Sequence, residues 1–180
     1  MAKARKNAKK LVAQITYLEM KARPSLHFPM PSRPQLALMR TASMPIAYYR
    51  YLYGEVGRAH HWFLRRDLDD DALSAIVHAE TTQIDVLYAD GCPAGFFELD
   101  FSPLPETVEL SYFGLTPDYI GLGLSKWFLS CAIESAWDKG PERITVHTNT
   151  LDHPAALQLY QRLGFEPVGT GEETVRVWED

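Results

Sequence analysis

Cysteine is nearly absent from this chain of 180 residues. Its two cysteines, Cys92 and Cys131, stand far apart and in no CxxC or Cys/His ligand spacing. That argues against a disulfide scaffold and against a bound structural metal, and it suits a reducing, cytoplasmic setting. Long apolar runs are also missing: none approaches the roughly 20 residues that cross a bilayer, so no membrane partner is expected. The N-terminus is basic but has no apolar core behind it, which excludes a secretory signal. Apart from that basic start, there is neither an internal repeat nor a low-complexity stretch.

Positive charge is scarce outside the first ten positions. Those ten carry five basic residues (Lys3, Arg5, Lys6, Lys9, Lys10) and no acid. Of 18 basic residues, 13 then remain against 23 acids, so the rest of the chain has a net charge of −10. A body this acidic favours cationic partners such as protonated amines and argues against nucleic acid. Residues 1–10 read as a solvated basic tail, and residues 11–180 as a single domain with a full core.

Hydrophobic periodicity lays out the order of elements. Val12 to Met20 reads as a strand, followed by a Pro-containing connector. Gln35 to Val56 reads as a helix split at Pro45, and Asp69 to Ala79 as a short helix opened by an acidic cluster. Gln83 to Tyr88, Ala94 to Phe101 and Thr107 to Leu115 read as three strands, the first two joined by the Asp90-Gly91 hairpin signal. A helix from about Gly123 to Lys139 stops at Gly140-Pro141. Arg143 to Thr148 is a strand, Pro154 to Leu163 a short helix capped by Gly164, and Phe165 opens the last strand region, with another possible pair around Gly169 to Gly171. This order implies an α/β fold with a mixed sheet and helices on its faces.

The chemistry concentrates where the strand VELSYFGL enters TPDYIGLGLSK. Glycines at Gly121 and Gly123 let backbone approach a ligand, and the free N–H groups of the following helical turn favour an anion such as a pyrophosphate. Such turns are common and do not identify a function alone. About 30 residues on, His153-Pro154-Ala155-Ala156-Leu157-Gln158-Leu159-Tyr160-Gln161-Arg162-Leu163-Gly164-Phe165 forms a compact helix with Pro at its start and Gly past its end.

With these two motifs at this separation, the chain resembles the GNAT superfamily of acyl-CoA N-acyltransferases. Pro117, Tyr119, Gly121 and Gly123 match its PxYxGxGxG loop. Ala156, Leu159, Tyr160, Gly164 and Phe165 match its second motif. The likeness covers about Gln83 to Phe165. It departs at Ile120, where relatives carry Gln or Arg, and at Leu122, where a basic residue is often found. It departs again at Ser125 in the last glycine position and at His153, where Asn is frequent.

The resemblance implies a mostly antiparallel sheet whose strands splay apart after the acyl-CoA-binding strand, acetyl-CoA as co-substrate, no metal, and direct attack by an amine. The pantetheine arm would lie along Phe113, Gly114 and Leu115. The phosphates would meet Ile120, Gly121, Leu122, Gly123, Leu124, Ser125 and Lys126, with Lys126 supplying the missing cation, and His153 and Arg162 nearby. Tyr160 would be the general acid; the alternative is a packing tyrosine. Glu109 is the candidate base and Glu98 its rival, and either can instead face solvent on a half-exposed sheet. His147, Thr148, Asn149 and Asp152 are candidate acceptor-site residues, although His147 is expected to turn into the core as a hydrogen-bonded histidine sooner than to act in catalysis. The aromatic helix with His60, His61 and Trp62 either walls the acceptor pocket or packs as a core stripe, the expected role. A non-catalytic acyl-CoA sensor is the competing function. The acceptor is a small-molecule or peptide amine, and the sheet edges of such folds allow a homodimer.

Overall fold

The computed structural model describes residues 9–25 and 27–178. Lys3, Arg5 and Lys6 of the basic tail lie outside the described residues, whereas Lys10 opens the first strand. Seven strands form one sheet: β1 (Lys10–Met20), β2 (Leu36–Arg40), β3 (Thr82–Ala89), β4 (Cys92–Asp100), β5 (Thr107–Leu115), β6 (Arg143–Asn149) and β7 (Glu166–Arg176), in the spatial order β2-β3-β4-β5-β6-β1-β7. Every neighbouring pair is antiparallel except β5 and β6.

Alternation along the strands sends successive side chains to opposite faces, and each face gathers its own core. Val86 and Phe96 pack under α1 (Ile46–Gly57) and α2 (Asp70–Val77) with Tyr49, Leu52 and Leu73. Leu87 and Phe97 pack on the other side with Phe128, Leu129 and Ala132 of α3 (Ser125–Trp137) and Tyr160 of α4 (Ala156–Arg162). Helix α2 starts where the acidic cluster foretold, because Asp69 accepts a hydrogen bond from the Ala72 N–H at 2.8 Å and caps the first turn.

Three expectations need correction. The segment Leu36–Arg40 is an edge strand on β3, not the first half of a helix. Leu36 and Leu38 are partly buried while Ala37 and Met39 are exposed, a period of two that five residues cannot distinguish from a helical one. The last region does not form a pair of its own around Gly169 to Gly171. It is one 11-residue strand that runs along β1, with Gly171 under the ring of Tyr17. His147 is the third, and it does not enter the core: its side chain is 40% exposed.

One geometric feature positions the site. Strands β5 and β6 pair only at Thr107–Arg143, Val108–Ile144 and Glu109–Thr145, and then diverge. The β5 edge from Leu110 to Leu115 therefore has no strand partner on the β6 side. In the same stretch Glu98 faces Tyr112 and Leu99 faces Leu110, so Ser111 is an extra residue, a bulge opposite β4.

Candidate active site

The gap between the diverging strands opens into a cavity of about 580 Å³. Its floor comes from β5 and β6, one end from the loop before α3, one side from α4, and the opposite wall from residues 60–65. Phe113, Gly114, Leu115, Ile120, Gly121, Ser125, Lys126, His153, Tyr160, Arg162 and Glu109 all line it. Gly123 does not line it, Leu122 is an exposed loop residue, and Leu124 is fully buried as a core anchor beneath the start of α3. Glu98 does not line the cavity; it is buried beneath the 60–65 wall, against Arg65.

The loop end has the features of an anion cradle. Gly121 and Gly123 adopt φ of +83° and +76°, the left-handed region that favours glycine, and nothing stands within 4 Å of a Cβ built on either. The first intrahelical bond into α3 is Phe128 N–H to the Leu124 carbonyl at 3.0 Å, and no side chain caps the helix. The backbone N–H groups of the preceding turn are thus left for an anion, with Lys126 and Arg162 as cations on the same cavity. A pyrophosphate fits this end, and an extended amide-bearing arm fits the unpaired β5 edge.

Gly114 has a different reason for being glycine than ligand approach alone. A Cβ there would sit 2.3 Å from Cγ1 of Val56, so β5 passes directly against α1. That contact helps hold the cavity wall against the floor.

Tyr160 is buried, with its ring edge-on to Phe165 at 5.8 Å and to Phe113 at 6.5 Å. Burial, with a smaller contribution from Asp152, pushes its phenol well above the ordinary tyrosine range. The hydroxyl therefore keeps its proton at any working pH and remains a donor at the cavity surface.

The far end is built mainly by loops. His60 Nδ1 lies 3.1 Å from the Leu151 carbonyl, and Trp62 Nε1–H donates to Asp152 at 3.3 Å. Asp152 in turn accepts from Thr148 Oγ1 at 2.7 Å and from the Asn149 N–H at 3.0 Å. Trp178 braces this wall from behind: its indole N–H donates to the Trp62 carbonyl at 2.9 Å, and Arg58 and Arg66 lie over its ring. On the floor, Glu109 and His147 face each other with Oε1 and Nδ1 3.8 Å apart. Glu173 of β7 accepts from Asn149 Nδ2 at 2.7 Å.

Sequence reading missed Arg65, which lines the cavity and forms an ion pair with Glu98 at 2.7 Å. Burial works against the Arg65 charge, but Glu98 more than offsets it and raises the guanidinium's pKa. No local pattern marks this arginine, because its partner is 33 residues away. Glu173 was missed for the same reason, since only the β1–β7 register carries it to the cavity.

Known proteins share this architecture. A putative GNAT acetyltransferase from Novosphingobium aromaticivorans superposes with a TM-score of 0.62 at 17% identity, over 92% of this chain and 64% of that one. A GCN5-related N-acetyltransferase from Kribbella flavida gives 0.61 at 16%, over 95% and 61%. An aminoglycoside acetyltransferase from an uncultured soil metagenomic sample gives 0.58 at 14%, over 71% and 86%. At these identities the likeness speaks for the fold alone, and the chain spans about three-fifths of the length of the first two. No curated protein matches the sequence. Residues 42–165, more than half of the chain, match the model of one family, and they contain the cradle, the open strand edge and the α4 wall. The chain belongs to the acetyltransferase (GNAT) family.

Proposed function

We propose that the protein transfers the acetyl group of acetyl-CoA to the primary amine of a small-molecule or peptide acceptor. The observation that carries this reading is the unpaired β5 edge beyond Glu109, which runs from the glycine cradle to the polar far end inside one cavity. Acetyl-CoA supplies the activated thioester. Gly121, Ser125 and Lys126 hold its phosphates, and the Leu110–Leu115 backbone hydrogen-bonds its arm as an added strand would. A backbone N–H on that edge, near the Ser111 bulge, polarises the thioester carbonyl. Tyr160 donates to the departing sulfur. The carboxylates Glu109, Asp152 and Glu173 at the far end favour a cationic acceptor.

Incubating the purified protein with acetyl-CoA and a panel of primary amines, and following free thiol, tests the reading. Amine-dependent thiol release with an acetylated product supports it. Coenzyme A binding with no thiol release across the panel would instead make the protein a sensor of acyl-CoA.

A further inference from the structure

Glu109 does not stand alone on the cavity floor. It is the last β5 residue paired with β6, opposite Thr145, and His147 is two residues further along β6 on the same side. The strands begin to part at this point, which leaves both side chains about two-fifths exposed, at 37% and 40%, on the cavity. Their facing atoms lie 3.8 Å apart, within ion-pair range and slightly long for a hydrogen bond. Catalytic hydrogen bonds often tighten to full strength only once substrate closes the site.

The other charged groups near His147 are mostly engaged elsewhere. On β1, Tyr17 is its register partner, with ring centroids 6.1 Å apart, and Glu19 is paired with Lys21 at 2.7 Å. On β7, Glu173 is bonded to Asn149. From the facing wall, the Arg65 charge is taken by Glu98. Glu109 is thus the one carboxylate in ion-pair contact with the imidazole among the described residues.

We propose that His147 is the proton acceptor for the incoming amine and that Glu109 orients its imidazole. This rests on the acetyl-transfer reading above. An ammonium group has a solution pKa near 10.4 and is mostly protonated at neutral pH. Imidazoles as a class match neutral pH better than carboxylates, so the pair suits the task better than a glutamate alone. In the step, His147 Nε2 removes one ammonium proton. The amine nitrogen then bonds to the acetyl carbon while the carbon–sulfur bond breaks. The sulfur takes the Tyr160 proton, the nitrogen's second proton restores the Tyr160 phenol, and His147 releases the first proton to solvent.

Two measurements test this. The first is a double-mutant cycle on kcat/KM with Glu109→Gln, His147→Gln and both changes together. If the carboxylate acts through the imidazole, the double variant should lose no more than His147→Gln alone. Losses that multiply overturn the pairing. The second is the pH profile of kcat/KM from pH 5.5 to 9, using an amine that the wild-type enzyme acetylates. His147→Gln should lose roughly 10²-fold at neutral pH and lose the fall on the acid side, with coenzyme A affinity unchanged. Glu109→Gln should lose less and keep an acid limb, since the imidazole is still present. A His147→Gln enzyme that keeps the wild-type limb, or is less impaired than Glu109→Gln, overturns the role. Wild-type turnover establishes the acetyl-transfer reading independently, so failure of the two ideas is distinguishable.

Discussion

Arg65 and Glu98 form an ion pair behind the cavity wall, Nη2 to Oε1 at 2.7 Å, while the other Glu98 oxygen accepts from the Tyr49 hydroxyl at 2.5 Å. Both carboxylate oxygens are therefore engaged, and the side chain is 2% exposed. The pair ties β4 to the 60–65 wall, and Tyr112 lies under the guanidinium at 5.2 Å.

Truncating one partner of a buried pair leaves the other uncompensated. Glu98→Ala should destabilise the protein by about 3 kcal/mol or more. Replacing both groups at once, with Arg65→Met and Glu98→Leu, should cost less than the single change. Urea denaturation of the three variants measures this. A single-variant loss below about 1 kcal/mol would mean that the pair is solvent-screened and does little to hold the wall.

Gly114 and Val56 make a similar tie through packing. Gly114→Ala should destabilise by about 1–3 kcal/mol because its Cβ would overlap Cγ1 of Val56. Adding Val56→Ala to the same chain should recover much of the loss. Thermal midpoints decide it, and a double variant no better than Gly114→Ala would place the strain elsewhere.

The two parts of the site differ in how readable they were. Gly121, Gly123 and Gly164 punctuate the loop before α3 and the end of α4, and punctuation is local, so these two segments could be drawn from sequence. The far side depends on register. His147, Asn149 and Glu173 share a cavity because β1 inserts between β6 and β7, a pairing that joins the chain's first strand to its last. No local pattern announces that insertion, so His147 was expected in a core that β6 does not provide on that face. The Leu36–Arg40 strand was misread for a simpler reason: five residues with two leucines fit either period.

At the cradle, Gly121→Asp adds a Cβ at positive φ and a carboxylate where a phosphate is expected. Coenzyme A affinity should fall at least tenfold, about 1.4 kcal/mol, in calorimetric titration. A folded variant that binds as tightly as wild type would remove this loop from the cofactor site.

The two cysteines should separate under a thiol reagent. Cys92 is exposed, whereas Cys131 on α3 is partly buried and its thiol is pushed up to about 11, chiefly by burial and further by Asp85 and Glu134. A thiol reacts as thiolate, so raising the pH towards that value increases the reactive fraction of Cys131 about tenfold per unit. At pH 7.5 labelling should stop near one cysteine per chain, and the second should react progressively faster from pH 8 to 10. Two equally fast thiols at pH 7.5 would contradict the packing of α3.

Tyr160 tests the mechanism most directly, because its ring and its hydroxyl have separable roles. The ring packs against Phe113 and Phe165, and Phe keeps that packing in Tyr160→Phe. None of the described hydrogen bonds uses the hydroxyl, so its loss leaves no orphaned partner and should barely change the thermal midpoint. A phenol held protonated by burial can serve the sulfur only as charge builds there, which happens as the bond breaks and not in the bound ground state. The variant should therefore bind coenzyme A with nearly unchanged affinity and lose turnover by roughly 10²-fold. Because the wild-type phenol does not ionise in the working range, the defect should be about equal from pH 6 to 9. If Tyr160→Phe turns over at the wild-type rate, the tyrosine is a packing residue and the sulfur takes its proton from water. If coenzyme A affinity falls in step with turnover, the hydroxyl serves binding and not the chemical step.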